Sequence, residues 1–208
     1  MPDKFLRRYT VLPSLIYMLT EKKLTLLDPQ SWDDKNDSHY LQLYREKLRR
    51  TTVLALCFAL GPETYHHWSV FAAGAGGVCV QFERESLITS LKARTGVRTR
   101  RVKYLLLTES RRRPLKVAEL PFLKRHAYQH ENEFRAIYES TRRTLHALDI
   151  AFPLSSISRI TLSPWLPLAL SDHVKGILRA IPGCAKLSIA RSTLISNQEW
   201  KKIGERAK

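Results

Sequence analysis

Glu131-Asn132-Glu133-Phe134-Arg135 carries the densest chemistry in this 208-residue chain. Two carboxylates stand two residues apart, at the head of a run that alternates apolar and polar side chains through Ala136-Ile137-Tyr138-Glu139. Read as a strand, the period of two puts Glu131, Glu133 and Arg135 on one face, with Phe134 and Ile137 outside that set. Paired acids on one edge divide work well: one stabilises a developing cation, the other orients or deprotonates a nucleophile. The same spacing equally suits a surface strand whose charges pair with each other or with Arg135. Both readings stay open on these residues alone.

Other groups compete for a role. His126 and His130 are four apart and Glu131 follows, a His-His-carboxylate set. The zincin arrangement needs Glu directly after the first His, where Ala127 stands, and no metal is expected there. Asp33, Asp34 and Asp37 could join Glu131 and Glu133 in an oxygen-rich set suited to magnesium, which keeps a nuclease reading open. His66-His67-Trp68 brings either a histidine and an aromatic to a cleft or an aromatic helix face to the core. Arg7-Arg8-Tyr9, ending a first strand, is an anion grip or ordinary surface. Gly74-Ala75-Gly76-Gly77 lacks the Gly-Lys-Ser/Thr ending of a P-loop and precedes a strand, so it reads as a helix-to-strand turn. There is no Gly-x-Ser-x-Gly elbow, and the cysteines have no activating context, so serine and cysteine hydrolase chemistry finds no support.

Charge speaks to partners more than to fold. Thirty-five basic residues against 19 acidic ones leave +16. Between Arg94 and Arg125 eleven basic residues face only Glu109 and Glu119, so nine of the sixteen excess charges lie in that segment. Arg98, Arg100, Arg101, Lys103, Arg111, Arg112, Arg113 and Lys124 are therefore the candidate nucleic-acid contacts; the alternative is a solvated face or one matched to an acidic protein partner such as an antitoxin. Cys57, Cys79 and Cys184 are odd in number and lack CxxC spacing, which fits free thiols in a reducing compartment. The N-terminal residues show no signal-peptide pattern and no apolar run approaches 18 residues, so a cytoplasmic protein without membrane contact is expected.

The elements that must position these groups are readable in outline. Strands are expected at Leu6–Tyr9, Leu24–Leu27, Thr52–Phe58, Val78–Phe82, Val97–Tyr104, Glu131 onward, Ile157–Leu162 and Leu187–Ala190. Helices are expected from Leu12, over Ser38–Arg50, from Gly61 through Ala73, over Glu85–Arg94 and near Ser171–Ala180, with Gln30–Asp37 a loop. Irregular alternation of strand and helix indicates an α+β fold. Residues 1–208 are read as a single domain with a central mixed or antiparallel sheet flanked by helices and a basic excursion at about 105–120.

Four ordered segments resemble a widespread bacterial and prophage domain-of-unknown-function family. They are Arg7-Arg8-Tyr9 with Leu24-Thr25-Leu26 and the Pro29–Asp37 loop; Leu56-Cys57-Phe58; Trp68-Ser69-Val70-Phe71-Ala72 joined to Gly77-Val78-Cys79-Val80-Gln81-Phe82; and Phe122-Leu123-Lys124 with Tyr128 and Glu131–Arg135. Phe71 stands where that family often has Tyr, keeping the ring without the hydroxyl. The layout of a first strand ending in Arg or Tyr and a late Glu-x-Glu also resembles ADP-ribosyltransferases. That resemblance implies NAD as substrate, Glu133 as the catalytic residue, Glu131 as the acceptor-orienting one, and Arg8, Tyr9, Trp68 and Phe71 around the dinucleotide. The Ser-Thr-Ser element of one transferase class is absent, with Cys57-Phe58-Ala59 nearest to it. The family's prophage setting implies a toxin or phage-defence factor acting on nucleic acid or a nucleic-acid-bound protein. The alternative reading is a non-catalytic basic nucleic-acid-binding module.

Overall fold

The computed structural model describes residues 3–112 and 114–207. The continuous apolar run Thr52-Val53-Leu54-Ala55-Leu56-Cys57-Phe58 forms the central strand, as its length and β-branched content require. In chain order the strands are β1 (Phe5–Val11), β2 (Lys23–Leu27), β3 (Thr52–Ala59), β4 (Gly77–Glu83), β5 (Val97–Arg101), β6 (Lys103–Leu105), β7 (Leu123–Arg125), β8 (Glu133–Ser140), β9 (Ala147–Ala151), β10 (Ile157–Leu162) and β11 (Ile189–Arg191). The helices are α1 (Leu12–Glu21), α2 (Lys35–Lys47), α3 (Tyr65–Phe71), α4 (Arg84–Lys92), α5 (Leu107–Arg112), α6 (Leu168–Ala180) and α7 (Gln198–Glu205). A central mixed sheet flanked by helices makes this an α+β fold.

One edge of β3 pairs antiparallel with β8 along its whole length, from Thr52↔Ser140 to Ala59↔Glu133. The opposite edge is divided. β1 meets it at Arg7↔Ala59 and β2 at Leu27↔Ala55. β1 pairs with β4 on its other edge along its whole length, from Phe5↔Glu83 to Val11↔Gly77, and has no ladder with β3 beyond Arg7. The sheet therefore splits beside Cys57. The Arg8 guanidinium spans the gap and donates to the Cys57 carbonyl at 3.1 Å. The main core gathers Leu6, Val80 and Phe82 with Leu54, Phe58 and Phe134 and with α1 and α4 residues such as Leu15, Leu19, Leu87 and Leu91.

Three expectations need correction. The Val97–Tyr104 strand is broken at Val102, which turns inward and is buried, so β6 leaves β5 to pair with β7. The Gln30–Asp37 loop ends early, because the Asp34 carboxylate accepts the Asn36 and Asp37 N–H groups and starts α2 at Lys35. Glu131 does not belong to β8: it closes a 3-10 turn, and Asn132 at φ 43° separates it from the strand. β9 and α7 carried no strong periodic signal and were not expected.

Candidate active site

β8 sets the geometry. Strand alternation sends Phe134, Ala136 and Tyr138 into the main core and Glu133, Arg135, Ile137 and Glu139 to the other face. Ile137 thus shares the acid face, contrary to the sequence reading, and packs with Val53 and Ala55 under α2. α2 turns Asp37, Leu41 and Tyr44 inward at helical spacing.

Arg135 is fully buried, and its guanidinium is saturated. Nε and Nη2 donate to Glu133 at 2.6 and 2.9 Å; Nη1 and Nη2 donate to Asp37 at 2.8 and 2.6 Å; Nη1 also reaches the Pro121 carbonyl at 2.9 Å. Its Cζ lies over the Trp32 ring, 5.0 Å from the ring centre. Two bidentate carboxylate pairs on one guanidinium hold both acids in place.

Lys124 forms the second centre. Its Nζ donates to Glu131 at 2.5 Å and lies 3.6 to 3.8 Å from Asp37, Asp34 and Glu133. The Tyr128 ring is 4.9 Å away. The counter-cation of this acid set is thus a side chain, at the place where the magnesium reading would put its ion. Among the described residues no group of three or more His, Cys, Asp or Glu is arranged to hold a metal.

The two glutamates are pushed in opposite directions. Burial opposes the Glu133 charge, but Arg135 and Lys124 outweigh it and hold the carboxyl below its usual range. Burial raises Glu131; Lys124 pulls it back and Glu133 and Asp37 push it up, so it titrates above its usual range. Environments that drive a pair apart assign an ionised member and a proton-accepting one. A depressed acid stabilises the fold above its unfolded value, about 4.3, and that contribution is lost as pH falls through the native value. Melting temperature should therefore drop on acidification below about pH 4.3 more steeply in the wild type than in Glu133→Gln. Equal slopes would show that Glu133 carries no depressed pKa.

The turn before β8 is held from three sides. His67 Nε2 donates to the Glu131 carbonyl at 2.9 Å, which leaves Nδ1 to accept from the Thr64 hydroxyl at 2.8 Å. Asn132 Nδ2 donates to the Leu60 carbonyl, and Arg101 donates to Asn132 Oδ1 at 2.7 Å. The Glu133 N–H donates to the Tyr104 hydroxyl at 2.9 Å.

These groups line a cleft of about 500 Å³ where the sheet splits. Arg7, Arg8 and Tyr9 reach it from β1, and Lys124, Tyr128, Glu131 and Glu133 from the segment running from β7 into β8; Phe71, Trp32 and Asp34 also line it. Its lining carries five carboxylates against three cations, the reverse of the molecule as a whole.

Of the residues singled out from sequence, Arg8, Tyr9, Phe71, Glu131 and Glu133 come together. Trp68 does not. It is fully buried, donates to Glu63 at 2.9 Å and meets the Tyr9 ring edge-on, so it supports the cleft wall from behind. Lys124 is not on the basic face: β7 turns it into the acid set. Arg98 is bound between Tyr44 and Glu139. Arg100, Arg101, Lys103 and Arg112 line a separate groove beyond the Glu131–Glu133 turn, Arg111 is exposed on α5, and Arg113 lies outside the described residues. Sequence reasoning missed Trp32 as the platform for Arg135 and Lys124 as the cation of the acid set. The signal for Lys124 was its context: it follows Pro121-Phe122-Leu123, whereas most other basic residues of that segment sit among charges.

No protein-family model and no curated protein matches the chain. Solved structures do. The chain is similar to DarT of Thermus sp. 2.9. In complex with NAD+ that protein is 13% identical, with 91% of this chain and 96% of that chain covered and a TM-score of 0.46. In complex with ADP-ribosylated ssDNA the values are 13%, 91%, 94% and 0.47, and with carba-NAD+ they are 14%, 91%, 96% and 0.46. No helix among the described residues is long and apolar enough to cross a membrane.

Proposed function

We propose that the cleft binds NAD and transfers its ADP-ribosyl group to a nucleic acid or a nucleic-acid-bound protein. The observation that carries this reading is that Arg8 and Tyr9 line one cleft with Glu133 where the sheet splits. The volume falls within the range of about 300–1,000 Å³ usual for small-molecule sites. The chemistry of the lining fits the two ends of the dinucleotide. Arg7 and Arg8 offer guanidinium donors to the pyrophosphate; a guanidinium carries five N–H groups, of which the Gly61 carbonyl takes one from Arg7 and the Cys57 carbonyl one from Arg8. The acid-rich wall suits the cationic nicotinamide and its ribose, with the Trp32, Phe71 and Tyr128 rings nearby.

Glu133, held ionised and immobile by Arg135, faces the positive charge that grows on the ribose as the glycosidic bond to nicotinamide breaks. Its interaction strengthens toward the transition state, which is what accelerates the step. The bonding electron pair leaves with the nicotinamide nitrogen. The acceptor's nucleophilic atom bonds to the same ribose carbon, and Glu131 takes its proton. The raised Glu131 is the better base of the pair.

This division is testable. With labelled NAD and RNA or DNA, Glu131→Gln should lose label transfer by about 10²-fold, the usual weight of a general base, while nicotinamide release continues. Transfer at the wild-type rate would remove Glu131 from the reaction. A wild-type protein that neither binds nor turns over NAD would overturn the whole reading. A toxin or phage-defence role, with an acidic antitoxin as partner, goes with this reading, and growth arrest on expression of the wild type but not of Glu133→Gln would support it.

A further inference from the structure

A second arginine-lined groove, of about 520 Å³, opens at the far end of β8. Arg50, Arg94, Arg142 and Arg143 line it, and Glu139 is the one acid among its lining residues. Glu139 is already engaged, by Arg50 at 3.2 Å and Arg98 at 3.4 Å. Arg142 and Arg143 are exposed, and their backbone N–H groups both donate to the Ser140 hydroxyl, at 3.1 and 3.0 Å, which fixes the turn that presents them.

This groove is joined to the one beside the candidate active site. Arg50 and Arg98 share Glu139, while Arg98 and Arg100 stand over the same Phe122 ring, at 5.6 and 5.7 Å. Arg100 and Arg101 then line the nearer groove, about 460 Å³, and Arg101 grips Asn132 between the two glutamates. Guanidinium groups thus follow one another along β5 from the far turn to the catalytic wall.

We propose that this arginine track binds the sugar-phosphate backbone of a single-stranded nucleic acid and leads it to Glu131 and Glu133. The inference deepens the proposed function, from which it takes the nature of the acceptor; what it adds is the binding surface. Successive cations along β5 and its neighbours match a polyanion whose charges repeat along its length. Grooves of about 460 and 520 Å³ suit the backbone of one strand. Track and cleft differ in sign, so the polymer and the cationic end of NAD are drawn to different places.

The test titrates a fluorescent single-stranded oligonucleotide at several salt concentrations with the wild type and with Arg142→Glu/Arg143→Glu. A control, Lys201→Glu/Lys202→Glu on exposed α7, changes net charge equally. The far-groove variant should bind about tenfold more weakly or worse, with a salt slope shallower by ~1.4, the loss of two single-strand phosphate contacts. The control should stay within about twofold, and nicotinamide release without acceptor should be unchanged in both. Equal weakening by both variants, wild-type binding by the far-groove variant, or duplex bound as tightly as single strand would each overturn the proposal. A wild-type protein that releases nicotinamide yet binds no oligonucleotide overturns the track and leaves the NAD chemistry. Oligonucleotide binding that depends on Arg142 and Arg143, without NAD turnover, keeps the track and removes the transferase reading.

Discussion

Arg135→Met should cost about 3–5 kcal/mol of folding stability, the usual result of removing one partner from a buried ion network. Methionine fills similar space, so the loss is electrostatic and not a cavity effect. Without the guanidinium, the Asp37 and Glu133 carboxylates lose four hydrogen bonds at positions only 2% and 5% exposed. Lys124, at 3.6 and 3.8 Å from them, compensates in part and places the effect toward the lower end of that range. Urea denaturation should show a lower midpoint with an unchanged slope, since the surface exposed on unfolding is the same. Adding Asp37→Asn should recover part of the loss, because one stranded charge is then removed. A loss below about 1 kcal/mol would show that water reaches the site and that Arg135 does not hold it together.

Glu133→Gln should lower kcat for nicotinamide release by about 10²–10³-fold with KM little changed, the signature of a group that acts in the transition state. Glutamine keeps the shape and one acceptor oxygen, and Arg135 keeps Asp37 and the Pro121 carbonyl, so the fold should survive. Near-ultraviolet circular dichroism and the melting curve check that. Turnover within about threefold of wild type would reduce Glu133 to a structural partner of Arg135. A rise in KM at constant kcat would instead make it a ground-state binding group.

These two experiments separate the two readings that Glu131-Asn132-Glu133 allowed from the start. The pairing of Glu133 with Arg135 follows from strand alternation, and the structure shows it as a bidentate contact. That contact does not displace a catalytic role: a carboxylate fixed and kept ionised is what stabilisation of a ribosyl cation needs. The cost is borne by the fold, in a buried network of four carboxylates and two cations that opposes the general preference for apolar cores.

How much was legible depends on the range of the interaction. The apolar runs of β3 and β4, the helix from Leu12, the Gly74–Gly77 turn, the α+β class and the shared face of Glu133 and Arg135 all follow from neighbours a few residues apart. Local propensity and side-chain period encode such features directly. The segment from Arg94 to Arg125 was visible as charge and was read as one surface. The structure divides it: Lys124 goes into the acid set, Arg98 goes to Glu139, and Arg100, Arg101, Lys103 and Arg112 line a groove.

Composition and pattern by themselves determined which side chains were available and which local elements would carry them. Tertiary structure alone decided their partners. Asp37 and Arg135 are 98 residues apart, and nothing in either segment specifies the other. Their pairing arises because α2 packs across the face of β8, and a buried charge must then find its counterpart among whatever groups that packing brings near. The cleft itself has no sequence signature, for it exists where β1, paired with β4 throughout, parts from β3 beyond Arg7. Backbone hydrogen bonding is indifferent to side-chain identity, so that divergence is settled by how the two halves of the core fill.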